Sequence, residues 1–93
     1  MQVEYSVIAR QTIIDIAVFV ERMNTKGSGN RWKNKFLKKI KRYAKPIKYA
    51  LCRHEIYAAN GFSCIAIDNW IIVFKTDNTK FNVYQIVLAS NLY

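Results

Sequence analysis

Ninety-three residues, 52% of them hydrophobic, suffice for one small domain spanning 1–93 with a single core. Fifteen Lys and Arg stand against six Asp and Glu, and this net charge of +9 predicts attraction to polyanions or to an acidic protein partner. No apolar run approaches the 18 or so residues of a membrane span and no leader opens the chain, so the expectation is a cytoplasmic protein with no membrane partner.

Residues 2–8 alternate as a first strand, with Val3, Tyr5 and Val7 on one face and Glu4 and Ser6 on the other. Lying far in sequence from the other strands, it is expected at a sheet edge. Residues 10–23 follow. Their β-branched content makes a strand a competitor, but fourteen residues without alternation decide for a helix. Its apolar positions cover most of the circumference while Asp15 and Arg22 share one narrow polar line, which predicts burial on two sides. Residues 24–30 form a loop, and Asn30 is suited to cap the next helix.

Residues 31–44 give the clearest helix. Trp32, Phe36, Leu37, Ile40, Tyr43 and Ala44 fall on one face, opposite Lys35, Lys38, Lys39, Lys41 and Arg42, and Pro46 stops it. From Arg31 to Arg53 there are ten basic residues and no acid, so the lysine face has nothing within the stretch to pair with. An ordinary solvated surface is the plain reading of that face, and an anionic partner the functional one. Residues 49–57 read as another strand, closed by Asn60-Gly61 as a turn.

Three strand-like runs end the chain, over 62–67, 70–75 and 80–88. They are separated by Asp68-Asn69 and by Thr76-Asp77-Asn78-Thr79, residues that suit tight turns. Links this short join only antiparallel neighbours, which predicts a meander covered on one side and partly occupied on the other. The fold class is thus α+β: an N-terminal strand, a two-helix hairpin and an antiparallel sheet of three or four strands. Cys52 and Cys64 sit in apolar contexts and read as buried free thiols of a reducing compartment. His54, the single histidine, cannot build a metal site alone, and no metal or cofactor is expected.

Order, length and pattern together resemble the RelE/ParE superfamily, the toxins of bacterial type II toxin–antitoxin modules. Ile8-Ala9-Arg10-Gln11-Thr12-Ile13-Ile14-Asp15-Ile16 is similar to that family's strand-to-helix junction, and Pro46 sits where a proline commonly follows its second helix. Asn60-Gly61-Phe62, then 67–75, resembles its core hairpin, and 80–88 its final strand. The resemblance implies a toxin neutralised by a cognate antitoxin and acting either on mRNA at the ribosome or on DNA gyrase. The RNA-cutting members carry an Arg in the hairpin, an Arg or His after the last strand, and a terminal aromatic. Tyr93 matches the last of these. Cys64-Ile65 or Trp70-Ile71 fill the first position, however, and Ser90, Asn91 and Leu92 the second. Under this resemblance Arg53 and Tyr93 become the candidate catalytic residues. Lys35, Lys38, Lys39, Lys41, Arg42, Lys45 and Lys48 become the candidate nucleic-acid or partner-binding set. The alternative is a non-catalytic basic module that only binds.

Overall fold

Gln2–Tyr5 (β1), Val7–Met23 (α1), Ser28–Lys41 (α2), Glu55–Ala59 (α3), Ser63–Ile67 (β2), Trp70–Thr76 (β3), Lys80–Leu88 (β4) and Ala89–Leu92 (α4) follow one another in the computed structural model, which describes residues 1–92. The fold is α+β, with one four-stranded sheet in the order β1-β4-β3-β2. The meander is antiparallel, as its short links require. β1 lies parallel to β4, which the long excursion through both helices permits. Asp68 adopts φ 56° in the β2–β3 turn. In the next turn the Asp77 carboxylate accepts from the backbone N–H of Thr79 and of Lys80.

The ends of the helices are set by local caps. Ser6 keeps an extended backbone and its hydroxyl accepts from Ala9 N–H, so α1 starts at Val7 rather than Arg10, and the first strand stops at Tyr5. α2 starts at Ser28, after Gly27 in the left-handed region at φ 85°, and Asn30 is not its cap. The carboxylate of Glu21, on the preceding helix, accepts from Gly27 N–H and Gly29 N–H at 2.8 Å each. It thereby meets two of the donors that a helix start leaves free. The hairpin is tight at this point. A Cβ on Gly29 would come within 2.3 Å of the Ala17 carbonyl oxygen, so only glycine lets the two helices approach so closely.

Both helices pack on one face of the sheet. Ala9 and Ile13 of α1 and Phe36 and Ile40 of α2 meet Ile72, Phe74, Phe81, Val83 and Ile86. Alternation sends Ile71 and Val73 to the opposite face, where Cys52, Tyr57, Phe62 and Cys64 cover them. One extra residue, Tyr84, interrupts the β3–β4 ladder, because Val73 pairs with Gln85 while Phe74 pairs with Val83.

Two expectations are overturned here, the strand over 49–57 and the free thiols. Residues 49–57 are not a strand: only Leu51 bridges Ser63, and the chain then crosses the free edge of β2 and enters α3. The reason is covalent, since Cys52 is bonded to Cys64 across a separation of 12 residues, and Cys52 N–H donates to Phe62 O. The thiols are therefore not free, which removes their support for a reducing compartment. α1 meets α2 on one side and the sheet on another, as expected. α2 and the sheet cover only part of it, leaving Ile14, Val18, Phe19 and Met23 exposed. Finally, the lysine face has one partner from outside its own stretch, Asp68, whose carboxylate lies 3.0 Å from Lys39 Nζ. No helix among the described residues is long and apolar enough to cross a membrane.

Candidate functional site

The last turn of α2 and the chain that follows it build a cleft of about 570 Å³. Lys39, Arg42 and Lys45 supply its cations, Tyr43, Ile47 and Tyr49 its walls, and Ala66, Ile67 and Asp68 its far side. Tyr49 fixes this geometry. Its ring packs edge-on against Phe74 at 5.1 Å and Phe81 at 6.3 Å, and its hydroxyl donates to the Tyr43 carbonyl oxygen. The loop after α2 is thus tied both to the core and to the helix end. Burial, and after it the neighbouring Tyr43, raises the Tyr49 phenol above its ordinary pKa, so the hydroxyl remains a donor at neutral pH.

Cations at a helix C-terminus also complement the exposed carbonyls there, so part of the basic cluster serves α2 itself. Among the described residues Asp68 is the one carboxylate lining the cleft, and both its oxygens accept from Lys39 at 3.0 Å. That ion pair leaves Arg42 and Lys45 as the exposed positive charges of the cleft. An anion entering it meets a fork of guanidinium donors and an ammonium.

The expected binding set therefore divides. Lys39, Arg42 and Lys45 come together. Lys35, Lys38 and Lys41 are exposed along α2 outside the cleft, and Lys48 lines a separate depression with Thr76, Asp77 and Asn78. Arg53 does not join them; it is exposed between Cys52 and α3, in the segment that covers the other face of the sheet. Tyr93 lies outside the described residues. Among those residues no three of His, Cys, Asp and Glu gather to hold a metal ion.

Sequence reasoning missed a second assembly, on that other face. Lys75 Nζ sits 4.4 Å above the Phe62 ring, and Phe62 stacks on Tyr84 at 4.6 Å. Tyr57 donates to Gln85 Oε1 at 2.8 Å, and the His54 ring lies 5.1 Å from that of Tyr57 with its Nδ1 buried and unpartnered among the described residues. A groove of about 470 Å³ beside this stack is lined by Glu4, Tyr5, Ser6, Asn82 and Tyr84. Burial pushes the Tyr5 phenol up to about 12. Parity was the signal that could have found Lys75, which shares the face of Ile71 and Val73 in β3. Tyr84 had no such signal, because its position depends on the interrupted ladder.

Compared with protein-family models and with curated proteins, the sequence has no match.

Proposed function

We propose that this chain is the toxin component of a type II toxin–antitoxin module of the RelE/ParE kind, held silent by a cognate antitoxin and acting on translation or on DNA gyrase. One observation carries the reading: a strand, a two-helix hairpin and an antiparallel meander in that order, with the first strand inserted parallel beside the last. The cleft of Lys39, Arg42 and Lys45 supports it, because a target rich in phosphate or an acidic antitoxin segment would be drawn to those cations.

A binding-only mode of action is favoured by the same cleft. Cutting RNA through its own 2′-hydroxyl needs a group that takes a proton and a cation that steadies the phosphate. Among the described residues the only carboxylate of the cleft is already paired with Lys39, and Arg53 lies elsewhere.

Inducible expression in a bacterial host tests the reading. Growth should arrest, and co-expression of the antitoxin encoded beside the gene should restore it. The triple substitution Lys39→Ala, Arg42→Ala, Lys45→Ala should abolish the arrest while leaving the fold intact. Primer extension on a translated message should show no cleavage. Should single-stranded RNA bind the cleft, log affinity should fall against log salt with a slope of about −1.4, for phosphate contacts by Arg42 and Lys45. A host whose growth ignores the parent protein would sink the proposal.

A further inference from the structure

The charge that suits an anionic partner is absent from the outer surface of α1. That surface is apolar to an unusual degree: Ile14 is 48% exposed, Val18 45%, Phe19 63% and Met23 67%, with Val7 and Ile8 also open. Isolated exposed hydrophobic residues need no explanation, but six on one 17-residue helix are more than scattered exposure. On the helical wheel they fall in two stripes, Val7, Ile14 and Val18 on one side and Ile8, Phe19 and Met23 on the other. Between the stripes runs a polar line of Gln11, Asp15 and Arg22, all exposed.

We propose that this face of α1 pairs with the same face of a second copy of the chain, antiparallel, about a two-fold axis between Val18 and Phe19. The charges select this occupant. Asp15 and Arg22 lie seven positions apart, about 20° from each other around the helix, so they form one line of opposite charges. Reversed and laid on itself about that axis, the line brings Asp15 of each copy level with Arg22 of the other. Two ion pairs result, and the two-fold operation brings each apolar stripe against its own copy, Val18 on Val18 and Phe19 on Phe19. The line is neutral overall, which suits a copy of itself better than an acidic partner. Arg10 and Arg22 balance Asp15 and Glu21 within α1, and the positive excess lies beyond it. Among the described residues of one copy Asp15 is held only by Gln11 Nε2, at 2.9 Å, a contact that an ion pair can join.

Sedimentation velocity on the full chain over a micromolar concentration series tests this, and the outcome does not depend on the toxin reading. The parent should be a dimer. Phe19→Asp should make it monomeric. Asp15→Arg or Arg22→Asp alone should weaken association roughly tenfold by setting like charges opposite each other, and the two together should restore it. All three positions are exposed, and far-ultraviolet circular dichroism should confirm that each variant keeps its fold. A parent that stays monomeric throughout the series would overturn the proposal, whether or not an acidic peptide then binds α1. So would a double swap no better than either single one.

Discussion

On one face of the sheet, Phe36, Ile40, Phe74 and Phe81 are each 0–1% exposed beneath two helices of 17 and 14 residues. On the other, Ile71 and Val73 are covered by a segment whose five-residue helix has no buried residue of its own. The first face is closed by apolar contact distributed over many side chains. The second is closed by a few discrete ties: the Cys52–Cys64 bond, the Tyr57–Gln85 hydrogen bond and the Phe62 ring. The difference teaches where each face can be broken. A distributed core yields to a large void, a tied one to the loss of a single link.

The largest effect expected is on the first face. Phe36→Ala should cost about 3–5 kcal/mol, the range for deleting a buried Phe, whereas Lys38→Ala, exposed on the opposite side of the same helix, should be nearly neutral. Urea titration of the two variants checks this. Equal and small effects would mean that α2 is not docked through its aromatic face.

The second face should break next. Replacing both Cys52 and Cys64 by Ser opens the loop that contains α3 and should cost about 3 kcal/mol, from the chain entropy returned to the unfolded state. Reducing the parent protein should reproduce that loss, while the double variant should ignore the reductant. Amide exchange should rise in residues 52–62 before it rises in α1 or α2. Uniform exchange across both faces would erase the distinction. Tyr57→Phe, which removes only the hydroxyl and leaves Gln85 without its donor, should cost about 1 kcal/mol and loosen the same segment.

The first face was legible in the sequence because its information is periodic. Trp32, Phe36 and Ile40 recur at helical spacing, and the meander alternates between turns that Asp68 and Asp77 announce. The second face was not, because its elements are short and its organising bond joins residues on different segments. Around Cys52 the β-branched and aromatic residues suggest a strand. Tertiary context decides otherwise, ending the pairing after a single bridge at Leu51. The candidate cleft was half legible. Sequence supplied its cations, but the residues that separate Lys39, Arg42 and Lys45 from the other lysines are Tyr49 and Asp68, brought there by the fold. The start of α2 was missed for a related reason. A capping motif is sought next to the helix it caps, and here the cap comes from Glu21, one helix earlier.

That cap gives the smallest and most selective test of the first face. The Glu21 carboxyl lies below the usual carboxylate range, chiefly because the backbone N–H groups of Gly27 and Gly29 donate to its charged form, with Arg31 adding a weaker pull against the cost of desolvation. A group whose folded pKa is depressed contributes stability that is present above its unfolded pKa and lost as pH falls through the folded value. Glu21→Gln should therefore be less stable than the parent at neutral pH, and the gap should close as the solution is acidified through and below the ordinary carboxylate range. Asp77 is depressed as well, by the N–H groups of Thr79 and Lys80, but it is common to both proteins and cancels in the difference. Thermal melts of parent and variant at matched pH values provide that difference directly. A gap that stays constant from neutral to acid would mean that the carboxylate charge contributes nothing at the start of α2, and that the hairpin is held there by the close approach of Gly29 to Ala17 alone.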